Sequence, residues 1–298
     1  MLLASLALAV LGAPNALARP PAAHRGVFAH EAIIGGKLAP IGQLASVADI
    51  IDVQGRRAIQ CTGTVVAPTL VLTAGHCAVN MRTGIANAVS GYRVLTGTVS
   101  GAGAEGQVSA VVGVLVYESF HRRLDTGDAA LLVLSTPTMA PPITLASADD
   151  AARATAGVVA TLAGWGDARY RQRKLTDRLR SADTVLQAPH WCSRNAPPFF
   201  AGSEICTIDP PRYATGACHG DSGGPLLAPI GAEGEFVVIG VTVHGYGGCS
   251  TRFPTVYTRA DLIAPWVQSW IAAYKTPAPA SVPPTTPGTV AAPVTVTP

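Results

Sequence analysis

The chain reads as an all-β protein built from two barrels or sandwiches and closed by one C-terminal helix. Three observations predict this. Short β-branched or apolar runs recur from Leu44 onward, bounded by Gly, Pro or Ser. Pro141-Pro142 separates two sets of such runs. Ile263, Trp266, Val267, Trp270 and Ile271 then repeat at helical spacing between Asp261 and Tyr274.

The first set comprises Ala58 to Val66, Thr69 to Thr73, Gln107 to Tyr117 and Ala129 to Leu134. The second comprises Val158 to Leu162, Ala182 to Leu186, Phe236 to Val243 and Thr255 to Thr258. Pro265 suits the first turn of the closing helix, which is expected to bury both tryptophans. Ahead of the strands, Leu2 to Leu11 is a short apolar run followed by Ala16-Leu17-Ala18. This is the pattern of a signal peptide (residues 1–18), too short to span a membrane, although no Lys or Arg precedes it. Residues 19–32 are polar and aperiodic, as in a pro-segment, and residues 276–298 form a charge-free Pro/Thr/Ala-rich tail of the linker or stalk kind. The stretch from Asp167 to Arg180 carries five arginines and a lysine and reads as a solvated surface loop.

With 298 residues, 48% of them hydrophobic and 13% charged, the chain can build a real core. A formal net charge of +3 makes no case for nucleic acid as a partner. Six cysteines behind a secretory N-terminus point to disulfides and a secreted or periplasmic location; their spacing leaves all 15 pairings open.

The chemistry concentrates at Cys218-His219-Gly220-Asp221-Ser222-Gly223-Gly224-Pro225. A serine hydroxyl is a weak nucleophile until a base takes its proton and backbone N–H groups await the oxyanion. Glycines flanking Ser222 allow the tight turn and close approach this needs. Upstream, Leu72-Thr73-Ala74-Gly75-His76-Cys77 places a histidine at a strand end. Asp128-Ala129-Ala130-Leu131-Leu132 opens a strand with a carboxylate. Asp125 is a competing carboxylate, but Asp128 leads directly into the apolar run.

In this order and these contexts, the chain from Ile33 to about Tyr274 resembles the chymotrypsin-like serine endopeptidases. Ile33-Ile34-Gly35-Gly36, the His76, Asp128 and Ser222 blocks, Gly164-Trp165-Gly166 and the helix all carry the likeness. The resemblance implies two six-stranded antiparallel β-barrels, about 33–147 and about 148–275, with the active site in the cleft between them. The mechanism is a standard worked example of catalysis. By the resemblance His76 is general base then acid, Asp128 holds its tautomer, Ser222 attacks, and the N–H groups of Gly220 and Ser222 form the oxyanion hole. It pairs Cys61 with Cys77, Cys192 with Cys206 and Cys218 with Cys249. It also implies that cleavage before Ile33 frees an ammonium that pairs with Asp221.

Several positions depart from the family pattern. Val243 replaces a serine that donates to the catalytic aspartate, and His244 replaces a tryptophan on the strand that binds substrate backbone. The loop after His76 lacks the acidic calcium cluster of some relatives, Glu105 standing alone, so neither metal nor other cofactor is expected. The specificity pocket maps to Gly216 at its base, Gly245 at its mouth, Thr255 on its wall and His219 at its rim. Without a carboxylate at Gly216 a substrate cation would be buried unpaired. Cleavage after small or medium apolar residues is therefore expected, with aromatic residues second. Ala32, preceding Ile33, fits such a pocket, so the enzyme processing itself and a separate elastase-like activator both remain open. Other readings are a catalytically weak homologue serving as a binding module and a stalked interaction protein.

Overall fold

The computed structural model describes residues 33–40, 42, 44–101, 106–167 and 176–275. The expected signal peptide, pro-segment, tail, Glu105 and the centre of the arginine-rich stretch lie outside the described residues.

Two closed antiparallel barrels are present. The first contains β2 (Val47–Gln54), β3 (Arg57–Ala67), β4 (Leu70–Thr73), β5 (Tyr92–Thr96), β6 (Gln107–Val116) and β7 (Ala130–Leu134). They pair in the closed order β2-β3-β4-β7-β6-β5. Between β4 and β5 sits the one-turn helix α1 (Gly75–Ala78). The second barrel contains β8 (Val159–Gly164), β9 (Arg180–Leu186), β10 (Glu204–Ile208), β11 (Pro225–Ala228), β12 (Val237–Gly245) and β13 (Thr255–Arg259), and a β8–β9 pairing closes it. Helix α2 (Ala148–Arg153) joins the barrels, α3 (Pro189–Asn195) precedes β10, and α4 (Ala260–Lys275) ends the described chain.

β-branched and apolar residues fill both interiors. Ile50, Val65, Val71, Val94 and Leu132 pack in the first, and Leu162, Leu226, Ile239 and Tyr257 in the second. A third cluster, with Leu72, Leu131, Trp165, Val241 and Ile263, spans both barrels and α4. Three disulfides tie loops down, Cys61–Cys77, Cys192–Cys206 and Cys218–Cys249. Each contributes about 2–4 kcal/mol, chiefly by restricting the unfolded chain.

Three expectations need correction. The segment β1 (Lys37–Leu38), placed with the first barrel by sequence, pairs with β9 of the second. The reason is apolar burial: Ile33 is fully enclosed by that barrel's core. Arg180 is not a solvated loop residue; it opens β9, is buried, and donates through Nη1 to the Gly36 carbonyl at 2.8 Å. Finally, β13 runs straight into α4 at Ala260, so Pro265 falls inside the helix rather than in its first turn. The fully buried stripe is Ala260, Ile263, Val267 and Ile271, while Trp266 and Trp270 lie half-buried at its margin. Trp266 rests on Tyr117 with ring centroids 5.3 Å apart.

Because α4 covers the core shared by the barrels, Ile263→Ala should lower stability by about 2–5 kcal/mol. A denaturant midpoint moved by less than the equivalent of about 1 kcal/mol would show that α4 is not a structural element of that core.

Candidate active site

Antiparallel register brings the first two residues together. Thr73 at the end of β4 pairs with Ala130 at the start of β7. His76, just past β4, therefore faces Asp128, just before β7. The turn of α1 aims the backbone nitrogen and Nδ1 of His76 at one carboxylate. The backbone N–H donates to Asp128 Oδ1 at 2.8 Å, and Nδ1 meets Oδ2 at 2.6 Å. Asp128 is completely buried, and His76 itself occupies both of its oxygens. Nε2 is thus the ring nitrogen left to act.

Burial by itself would lower the His76 pKa. The charge and hydrogen bond of Asp128, with the charge of Asp125 added, outweigh it and hold the imidazole above its ordinary value.

Ser222 comes from the second barrel, in the loop before β11. It shares with His76 a cleft of about 400 Å³, bordered also by Gln60, Cys77, Met81 and His219. The hydroxyl points to the Val243 carbonyl at 3.5 Å. The loop is held by its backbone. Thr62 N–H donates to the Ser222 carbonyl and Gly223 N–H to the Thr242 carbonyl, both at 2.8 Å. The carbonyl of His219 accepts from Asp167 N–H at 2.6 Å. A planar trans peptide sends its N–H the opposite way. The Gly220 N–H is therefore presented on the other side, an arrangement that Gly220 adopts at φ +96°.

Asp221 is fully enclosed, accepting from Gly166 N–H and Cys218 N–H at 2.8 Å each. Burial pushes its carboxyl up to about 7 against those hydrogen bonds. Ile34 forms a two-way backbone bridge with Gly216, and Ile33 is buried at φ +50°, a left-handed geometry costly for a β-branched residue.

The expected pocket residues also come together. Thr255 Oγ1 accepts from Ala217 N–H at 3.3 Å and borders Gly216. A methyl group added at Gly216 would meet nothing closer than 3.7 Å, whereas one at Gly245 would press on the Ala217 carbonyl at 3.0 Å. His219 is exposed at the cleft edge. His76 also lies near the sulfurs of Cys61 and Cys77, but these are bonded to each other and offer no thiolate to a metal.

Sequence reasoning missed Thr62. This fully buried residue donates from Oγ1 to the Gly220 carbonyl at 2.8 Å and accepts from Trp165 N–H at 3.0 Å. It ties the first barrel to the serine loop. No local signal marks it, since a threonine in a strand is ordinary. Thr62→Val would orphan the partly buried Gly220 carbonyl and the buried Trp165 N–H. It should cost about 1–3 kcal/mol and slow fluorophosphonate labelling of Ser222; labelling at the unchanged rate would show that the tie does not set the loop's geometry.

A family model described as Trypsin matches residues 33–267. The chain is 30% identical over 227 residues to a protein named Trypsin from Saccharopolyspora erythraea, covering 76% of this chain and 92% of that one. It is 29% identical over 260 residues to human Serine protease 56, covering 86% of this chain but only 41% of the longer human protein. It is also 28% identical over 262 residues to Glucanase inhibitor protein 2 of Phytophthora infestans, covering 87% of this chain and 96% of that protein.

Proposed function

The chain belongs to the trypsin family of serine proteases, and from that premise we propose that it is a secreted or periplasmic endopeptidase cleaving after small or medium apolar residues. The observation that carries the catalytic part is the two-point hold of Asp128 on His76 in a cleft shared with Ser222. Neutral His76 takes the Ser222 proton through Nε2 as the oxygen attacks the scissile carbonyl. Asp128 stabilises the imidazolium that forms. The N–H groups of Gly220 and Ser222 receive the oxyanion, and His76 returns the proton to the leaving amine. Water then repeats the sequence on the acyl-enzyme.

The location follows from three disulfides, which persist in oxidising compartments, and from the apolar N-terminus, read as a signal peptide over residues 1–18 with a pro-segment to residue 32. No described helix is long and apolar enough to cross a membrane.

Activation by cleavage before Ile33 has two physical supports. Asp221 is a buried carboxylate whose burial disfavours its charge, and an α-ammonium at Ile33 would compensate it. The left-handed φ at Ile33 exists only while residue 32 is attached, because a chain terminus has no φ. Cleavage removes that strain.

The residues mapped to the pocket support this preference. Gly216 contributes no carboxylate and Thr255 limits depth, so Ala or Val fits and Arg is penalised. Aromatic residues are the alternative occupants. A second reading, a binding module with little catalysis, draws on the resemblance to an inhibitor-named protein; the intact His76–Asp128 hold favours catalysis.

Ser222→Ala and His76→Ala should each lower kcat by about four to six orders of magnitude with the fold retained. Near-normal turnover by either would remove the mechanism. Gly216→Asp should raise cleavage after Arg relative to Ala by about tenfold or more, through a charge-assisted pair. An unchanged ratio in a peptide library would mean that Gly216 does not floor the pocket.

The pH profile follows from the same groups. The base acts only when neutral, and its pKa is raised, so kcat/KM should climb with a midpoint above the ordinary value of about 6.5. Asp221 should hold the Ile33 ammonium above the free range of about 7.7–8.0, so activity falls as pH rises through that raised value. A rising limb centred well below 6.5 would contradict the electrostatics of His76.

A further inference from the structure

Asp125 is a carboxylate beside the catalytic residues for which the mechanism has no use. It sits at φ +54° in the loop closed by the His121–Thr126 bridge. It is partly exposed, yet its Oδ1 is buried without a hydrogen-bond partner among the described residues. Burial raises its pKa, and Asp128, His76 and His244 all act on it electrostatically.

Neither imidazole neutralises it during turnover. His76 must be neutral to act as base. Burial holds His244 below its ordinary value despite the charge of Asp125. Arg122, three residues earlier, turns away to the carbonyls of Met81 and Arg82. Glu204, fully buried and accepting from Phe200 N–H at 2.8 Å, lies within Coulombic reach, but burial pushes its carboxyl up to about 7, so it adds negative potential only as pH rises past that value.

The strands decide what can reach Asp125. β12 pairs with β13 as far as Gly245, but with β11 only as far as Val241. Past Thr242, whose N–H and carbonyl are taken by Gly224 and Gly223, its other edge has no backbone partner among the described residues, the Val243 carbonyl accepting from the Ser222 hydroxyl. An extended substrate can add to that edge as a further strand. Side chains alternate along a strand. When one enters the Gly216–Thr255 pocket, the side chain before it points the opposite way, toward His76, His244 and Asp125.

We infer that Asp125 selects substrates with Arg or Lys immediately before the residue that occupies the Gly216–Thr255 pocket. This rests on the protease reading above and specifies its substrate class. With Oδ1 enclosed and unpartnered, the exposed part of the carboxylate is what a cationic side chain meets, and that cation supplies the counter-charge that Asp125 lacks. The preferred sequence is then Arg or Lys, followed by a small apolar residue, followed by the cut.

The chain's own activation site is built against this preference. The residues before Ile33 are Glu31 and Ala32. Ala32 suits the pocket, but Glu31 would face Asp125, like charge on like. Mature enzyme therefore processes its own precursor poorly, and a separate protease performs the first cut.

The test compares two peptides that differ only at that position, Arg against its neutral isostere citrulline, each followed by Ala at the scissile bond. Wild-type enzyme should favour Arg by about tenfold in kcat/KM, with the ratio shrinking at high salt. In Asp125→Asn the ratio should collapse toward unity. Being internal to each enzyme, it is unaffected by a general loss of activity. A wild-type ratio near one overturns the inference, as does an undiminished ratio in the variant. A second arm needs no change in the enzyme: mature wild type is added to Ser222→Ala precursor with and without Glu31→Arg. Faster release of Ile33 from the Glu31→Arg precursor supports the inference, and equal rates overturn it. Failure of the underlying reading looks different, with no fluorophosphonate labelling of Ser222 and no turnover of either peptide, and it would remove both.

Discussion

The site depends on a backbone tie between two barrels. His76 and Asp128 belong to the first barrel, and Ser222 to the second. Thr62 N–H holds the Ser222 carbonyl, its hydroxyl holds the Gly220 carbonyl, and Trp165 N–H donates to that hydroxyl in return. Buried and well aligned, these bonds exchange little with water, and each broken one would leave a buried polar group unsatisfied. The apolar cluster common to both barrels and α4 gives the tie a rigid base. Without it, histidine and serine would belong to two independent bodies.

Charge management is the second constraint. Asp128, Asp221 and Glu204 are all enclosed, and each is handled differently. Asp128 is held twice by His76, which makes its charge useful. Asp221 has backbone donors but carries a raised pKa, a state suited to a precursor awaiting a cation. Glu204 and the half-exposed Asp125 are both pushed up by burial, Glu204 to about 7, and the charge of Asp125 raises Glu204 further. Carboxylates of one chemical kind thus differ by the donors around each: two from His76 at Asp128, two backbone N–H groups at Asp221, one backbone N–H at Glu204 and none to Oδ1 of Asp125 among the described residues.

Much of this was legible in the chain itself. Eight strands follow from short β-branched or apolar runs bounded by Gly, Pro or Ser, and the closing helix from apolar residues that repeat about every 3.6 positions. Strands β2, β5, β10 and β11 were not singled out. Charged residues interrupt or open three of them, Asp49 and Asp52 in β2, Arg93 in β5 and Glu204 in β10, so no clean apolar run stands out. The His76, Asp128 and Ser222 blocks were readable because each side chain sits within a few residues of an element boundary, flanked by residues that the turn requires.

The sequence by itself determined the chemical types available: a serine among glycines, a histidine just past one apolar strand, and a carboxylate just before another. Those choices are local, set by turn geometry and burial within a few residues. Only the tertiary structure decided that β1 crosses to the second barrel, that Arg180 is buried beneath Gly36, that Thr62 steadies the serine loop, and that Asp125 is left with an oxygen lacking a partner beside His244. These are contacts between residues far apart in sequence. Whether a polar group is satisfied depends on what the rest of the fold places within about 3 Å of it, and no local pattern records that.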